Sequence, residues 1–340
     1  MIKNQDLYTN AIQLLIELIK TPSYSREENN TATILENFLN SHQIPFQRIA
    51  NNIIAKNKFY SEDKKTILLN SHHDTVKAGT SWTYDPFGAT LEGNKLIGLG
   101  SNDAGASLVS LMNVFVELYD KNLPYNLILG IVGEEEISGA NGCRLLLSNL
   151  GKIDLGIVGE PTQMQMAVAE KGLIVLDCIA YGKTGHAARN EGENALYKAI
   201  DDANWFRNEQ LPLISDLLGS CKMTVTQMYA GKNHNVIPDE CNFVVDIRTN
   251  ELYQNLEVIE YIKQHIKSEI TPRSYHLNSS RIDLNHPIVK RGFELGMKSY
   301  GSPTLSDQSV MNFDTLKIGP GDSARSHTAD EFILLSEITL

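Results

Sequence analysis

At 340 residues the chain is long enough for two domains, and a 42% hydrophobic content lets it bury sizeable cores, which excludes an intrinsically disordered protein. A net charge of −11 leaves no basic face for phosphates and argues against a nucleic-acid partner, although a few local cations can reverse the sign inside a cleft. Four scattered cysteines (Cys143, Cys178, Cys221, Cys241) without a Cys-x-x-Cys pair suit a reduced compartment and oppose a disulfide framework or a thiolate zinc site.

The N-terminus carries no basic region followed by an apolar core and cleavage site, and no stretch approaches the ~20 apolar residues of a membrane span, so a cytoplasmic protein without a membrane partner is expected. Residues 6–20 and 27–41 read as amphipathic helices, the first stopping at Thr21-Pro22. Short strands follow at about 44–49, 52–57 and 66–70. The stretch 82–101 reads as a hairpin region, with Asp85-Pro86 and Glu92-Gly93-Asn94 as turns. A helix from Gly105 to Asp120, an apolar strand at 126–132, a helix near 140–149 and a strand at 155–159 continue the alternation. That alternation predicts an α/β fold with a mixed, mainly parallel sheet flanked by helices.

The character changes near residue 171. Residues 172–182 alternate apolar and polar in part, followed by a helix at 193–207, strands at 222–231 and 240–248, and a helix at 254–268. Two helices over one face of an antiparallel sheet make an inserted α+β domain. The expected division is therefore 1–171 with 283–340 as one domain and 172–282 as the insert. From His286 a helix, a loop and a strand close the first domain. Ser336 and Glu337 look like the start of a helix with almost nothing after it, so a C-terminal helix is expected to be missing.

Three successive glutamates, Glu134-Glu135-Glu136, stand at the end of the apolar run "NLILGIV" (126–132). An unbroken apolar strand is usually buried in a parallel sheet, and α/β enzymes bind ligands at the carboxyl ends of such strands. Carboxylates stacked there raise one another's pKa, so a cation should neutralise them. The same placement recurs along the chain. His72-His73-Asp74 ends the strand "KTILLNS", Asp103 ends "LIGLGSN" at a helix start, Glu160 follows "LGIVG", and His327 follows a glycine loop.

These ligand types suit zinc, which accepts imidazole and carboxylate and leaves a position for water in catalytic sites. Two such ions roughly 3.5–4 Å apart can share a carboxylate and a water whose pKa falls toward neutral. Two histidines and three carboxylates suffice for the pair, leaving one Glu as general base and one Asp to fix a histidine tautomer. His73 neighbours a ligand but faces the other way along the strand. His42, His265, His276 and His286 lie in no motif, and His234 stands beside Asn235.

The strings "SHHDTV", "WTYDPF…GLGSND", "GEEEISG", "VGEPT", "KTGHAA", "NVIPDECNFVVDIR" and "SHTADE" occur in one order over nearly the whole chain. In this the chain resembles the dinuclear-zinc amidohydrolase and peptidase family, which includes acetylornithine deacetylase, succinyl-diaminopimelate desuccinylase, aminoacylase and glutamate carboxypeptidase. The resemblance implies two Zn²⁺, or Co²⁺ or Mn²⁺ in their place. His72, Asp103 and Glu160 would hold one, with Asp103 bridging to a second on Glu136 and His327. Glu135 would be the general base and Asp74 would orient His72. The insert would be a lid through which a homodimer forms, with His186 reaching the partner's site. Asn235 and Arg248 would contact substrate, with backbone N–H groups of the loop at Gly321 beside them, although Arg248 could also pair with Asp246.

Two strings depart from the family pattern. The usual Asp-Met-Lys-Gly is Asp103-Ala104-Gly105, and Glu134 replaces an Asp. The wording "GLGSNDAGAS" points to the branch that deacylates acetylornithine or acetyl- and succinyl-citrulline in arginine biosynthesis. The activity expected is hydrolysis of the amide of a small N-acyl-L-amino acid by a hydroxide shared between the ions. The alternatives are a succinyl-diaminopimelate desuccinylase, a dipeptidase or aminopeptidase, and a catalytically silent metal-binding regulator.

Overall fold

The structure is a computed structural model that describes residues 2–338. The chain forms two compact units, Met1–Val168 with Ile282–Tyr300 and Ser306–Leu340, and Ala169–Arg281 with Gly301–Leu305. These boundaries differ from the expected 171/172 and 282/283 by a few residues, and Gly301–Leu305, expected in the first domain, groups with the second. Backbone contacts explain the shift: Lys171 N–H donates to the Ser302 carbonyl at 3.1 Å. Gly301 also lies so close to Leu217 that a Cβ would stand 2.3 Å from its carbonyl oxygen.

In the first unit the helices α1 (Ile2–Ile19) and α2 (Asn29–Ser41) precede strands β1 (Phe46–Ile49), β2 (Asn52–Lys56) and β3 (Thr66–His72). Next come α3 (Ala106–Leu118), β4 (Asn126–Val132), α4 (Cys143–Ser148), β5 (Leu155–Val158) and β6 (Met166–Glu170), which runs across the unit boundary. The sheet order is β1-β2-β4-β3-β5, then the strand Thr315–Lys317, then β6. The pairs β4–β3, β3–β5 and β5–(315–317) are parallel, and the pairs outside this centre are antiparallel. This is the mixed, mainly parallel sheet expected from the β/α alternation.

All seven residues of β4 are buried, as an apolar strand covered on both faces must be. Alternate residues serve opposite layers. Leu127, Leu129 and Ile131 join Leu15, Leu35, Met112 and Phe115 from α1, α2 and α3, while Ile128 and Val132 pack with Leu146 of α4. The hairpin expected at 82–101 forms as Thr90–Glu92 and Lys95–Ile97, and Phe332–Leu334 adds a third antiparallel strand to it.

The second unit is an antiparallel sheet with two helices. Its strands are β7 (Gly172–Tyr181), β8 (Lys222–Ala230), β9 (Glu240–Thr249) and β10 (Glu269–Pro272), in the order β8-β9-β7-β10, with helices α5 (Ala195–Asn208) and α6 (Asn255–Lys263). Ile174, Leu176, Cys178 and Ala180, every second residue of β7, pack with Phe206 of α5 and Val258, Ile259 and Ile262 of α6. Helix α6 stops at Lys263 rather than 268, because Lys267 N–H and Ser268 N–H turn to the Asp202 carboxylate at 3.2 and 2.8 Å. Among the described residues no helix is long and apolar enough to cross a membrane.

Candidate metal centre

Strands β3, β4 and β5 run in one direction, so their carboxyl ends share one edge of the sheet. His72 is the last residue of β3, Glu134–Glu136 follow β4, and Glu160 stands two residues beyond β5. Asp103 comes from the turn Ser101–Gly105 that leads into α3. His327 follows the short helical turn Ser323–Arg325 with a positive φ of 58°.

These residues converge. His72 Nε2 lies 3.3 Å from Asp103 Oδ1, 3.7 Å from Glu160 Oε1 and 3.9 Å from Glu135 Oε2. His327 Nε2 lies 2.9 Å from Glu136 Oε2 and 3.6 Å from Asp103 Oδ2. Two trios form, His72–Asp103–Glu160 and Asp103–Glu136–His327, each with its donor atoms within 4.8 Å of one another. Asp103 belongs to both and turns one oxygen toward each histidine. Glu135 belongs to neither trio.

Asp74 sits where an orienting residue is expected, with a broader part. His72 Nδ1 is 3.0 Å from the Asp74 carbonyl and 3.4 Å from its carboxylate, which leaves Nε2 facing the acids. The carboxylate accepts from Ser25 Oγ at 2.7 Å and from the N–H groups of Glu135 and Glu136 at 3.0 and 3.1 Å. It therefore also fixes the backbone that carries those two side chains. Glu134, with φ 55°, accepts from Asn141 Nδ2 at 2.9 Å and braces the turn. His73 is bound between Thr31 Oγ1 and the Asn51 carbonyl, each at 2.9 Å, away from the trios.

Four further residues support the site from positions outside the candidate set. Glu28 is fully buried, and its carboxylate accepts from Glu134 N–H at 3.0 Å, Arg26 N–H at 2.6 Å and Asn51 Nδ2 at 2.7 Å. Buried Asp307 accepts from Asn70 Nδ2 at 3.1 Å and raises the pKa of Glu135 by its charge. Lys317 is buried at the end of its strand and opposes the rise in Glu160. Glu331 is buried behind Asp103. Of these only Glu331 carried a signal, as the last letter of "SHTADE"; the others lie in no motif.

The crowding shows in the proton affinities. Burial pushes Glu160 up to about 8, with the charges of Asp103 and Asp307 adding to it, against His72 and Lys317. Burial likewise holds Glu135 well above the usual carboxylate range, reinforced by Glu160, Asp307 and Glu136. For His72 burial would lower the imidazole, but hydrogen bonds to Asp103 and Asp74 and the charges of Glu135 and Glu160 outweigh it and hold it well above its usual value. The bond to Glu136 raises His327 to about 9, against partial burial. Buried carboxylates this close raise one another's affinity for protons, and imidazole nitrogen with carboxylate oxygen is a zinc-type donor set. The residues fit a pair of divalent ions.

Two of the candidate substrate residues of the second unit lie together, and the third stands apart. Gly185-His186 pairs with Val236-Ile237, and Ala187 N–H donates to the Asn235 carbonyl at 3.0 Å, so His186 and Asn235 share one short ribbon. His186 is exposed and accepts from Ala188 N–H at 3.1 Å. Arg248 forks onto Asp246, Nε and Nη2 donating at 2.9 and 3.0 Å. In the first unit Gly321 has a φ of 89°, and a Cβ there would stand 2.4 Å from Asn102 Oδ1, so only glycine fits the loop.

A peptidase dimerisation domain model matches residues 168–273, and a peptidase family M28 model matches residues 52–215. The chain is 26% identical over 275 residues to succinyl-diaminopimelate desuccinylase 2 of a Ruegeria species, covering 76% of this chain and 69% of that one. It superposes on a tripeptidase from Staphylococcus aureus with a TM-score of 0.77 and 19% identity, covering 97% of this chain and 94% of that one. On a dinuclear metal binding peptidase of the M20 family from Bacillus subtilis the TM-score is 0.74 at 17% identity, covering 98% and 95%.

Proposed function

We propose that this chain is an enzyme of the M20 metallopeptidase and amidohydrolase type that hydrolyses the amide bond of a small N-acyl amino acid, and that the two trios meeting at Asp103 would hold two divalent cations. The observation that carries the reading is the pair of trios joined at Asp103, with Glu135 beside them in neither.

His72 and Glu160 would complete the site on one side of Asp103, and Glu136 and His327 the other. Metals of this kind polarise a carbonyl and lower the pKa of water toward neutral. The chain's own residues supply the rest. Glu135, buried and with a raised affinity for protons, takes the proton of the attacking water and passes it to the leaving amine. Asp74 holds the Glu135 and Glu136 backbone while the proton moves. His186 would polarise the scissile carbonyl from the partner subunit of a homodimer formed through the second unit. Asn235, the Gly321 loop and Arg248 would hold the acyl amino acid, Arg248 trading Asp246 for a carboxylate of the substrate.

The names of the curated relatives favour a succinyl group on diaminopimelate, the alternative weighed above, over acetylornithine or an acylated citrulline. A peptidase is the second reading, favoured by solved structures described as a tripeptidase and an aminopeptidase. A panel of succinyl- and acetyl-diaminopimelate, citrulline and ornithine, set beside dipeptides and tripeptides, separates them after loading with Zn²⁺, Co²⁺ or Mn²⁺. Cleavage of peptides alone would replace the deacylase reading by the peptidase one. Metal analysis should find two equivalents, and none, with no gain of activity on adding these ions, would overturn both.

A further inference from the structure

We propose that Glu331 is the positioning residue that lets Asp103 face two cations at once, by gathering the backbone N–H groups of the turn that carries it; this rests on the two-cation reading above. Its Oε1 accepts from the N–H groups of Asn102 and Asp103, both at 2.9 Å, and its Oε2 from Gly100 N–H at 3.0 Å. The three donors converge because Gly100 adopts the left-handed conformation, with φ 75°, at the entry to the turn. Successive N–H groups around such a residue form a concave nest for an anion. Here the acceptor is a side-chain carboxyl group only 2% exposed, belonging to a segment 228 residues away.

The same residue fastens both sides of the site. Its carbonyl accepts from Gly98 N–H at 2.9 Å, and the next three residues pair with Lys95–Ile97. It stands four positions beyond His327, so one stretch of backbone carries the imidazole and the clamp on Asp103. Inside the turn Asp103 leaves helical geometry, at φ −115° and ψ 100°. That conformation turns Oδ1 to His72 and Oδ2 to His327, at 3.3 and 3.6 Å. Without the carboxyl group the N–H groups of Gly100 and Asn102, both buried, and of half-buried Asp103 lose their acceptor, and the turn must move to find water. Asp103 would move with it.

The test is metal affinity, measured by chelator competition on the purified protein. Glu331→Gln keeps the size but sets an amide donor against a backbone donor, and affinity should fall about 10- to 100-fold, the usual effect of losing a residue behind a ligand. Turnover should fall at limiting metal and return at raised metal, with KM little changed. Asp330→Asn, altering the exposed carboxylate that binds Thr83, should leave affinity unchanged. Wild-type affinity in Glu331→Gln overturns the proposal alone, whereas a wild-type protein that binds no metal overturns it together with the reading it rests on. Should Glu331→Gln fail to fold, hydrogen exchange in the metal-free wild type decides. Protected amides at Gly100, Asn102 and Asp103 support the clamp, and exchange at the rate of an open loop refutes it.

Discussion

Glu135 and Glu136 are adjacent and chemically identical, yet their surroundings divide the work between them. Glu136 is bonded to His327, while Glu135 faces His72 among Glu160 and Asp307 and holds a proton more tightly than an ordinary carboxylate. Glu135→Gln should therefore cut turnover by about 10²- to 10⁴-fold, the usual contribution of a general base, with metal content kept. Near-wild-type turnover in that variant would move the role elsewhere. The raised groups also set a pH dependence. In the metal-free protein Glu160 holds its proton to about 8 rather than 4.5, and His327 to about 9 rather than 6.5. Both raise the proton count of the folded state, so stability falls as pH rises between those limits. Asp74 and Asp103 are shifted downward and act only at lower pH. Thermal unfolding in chelator from about pH 5.5 to 9 should show a falling midpoint, and a midpoint that rises over that window contradicts the assignment. Cations must expel the same protons, so their affinity should rise with pH.

Among the elements, the turn after β4 is the most constrained part of the site. Glu134 enters it with a positive φ, and a Cβ on Gly139 would stand 2.0 Å from Glu134 Oε2 and 2.6 Å from its Cβ. Gly139→Ala must push Glu134 aside and so disturb the two glutamates after it. We expect kcat to fall at least about tenfold, as misplacement of catalytic groups usually costs, with the circular dichroism spectrum retained. An unchanged kcat would mean that the turn yields without moving them. Helix α3 behaves differently, since its role is packing: Phe115 is fully buried, and Phe115→Ala should cost about 3–5 kcal/mol in denaturant unfolding. At this scale the apolar strands and the amphipathic helices were legible, because their periodicity is local. Strand β10 was not, because it forms by pairing with the distant β7, nor was the early end of α6, because the Asp202 carboxylate that ends the helix lies about 65 residues from the N–H groups it accepts.

For the whole molecule, the dimer proposed through the second unit makes a test that no single chain can meet. If His186 serves the partner's site, mixing His186→Ala with Glu135→Gln protein should regain activity that neither shows alone. Proven heterodimers without recovery would confine each site to one chain. Residue order alone carries the types of candidate ligand, their succession along the chain and the strands they end. Apolar runs and ligand chemistry are written residue by residue, and parallel strands bring their carboxyl ends to one edge. What holds those candidate ligands still is set by contacts between distant segments. Glu28 reaches across 106 residues to Glu134, Glu331 across 228 to Asp103, and Asp307 across 237 to Asn70. Two of these three clamps act on backbone N–H groups, which almost every residue carries, so no side-chain pattern marks the position that receives them.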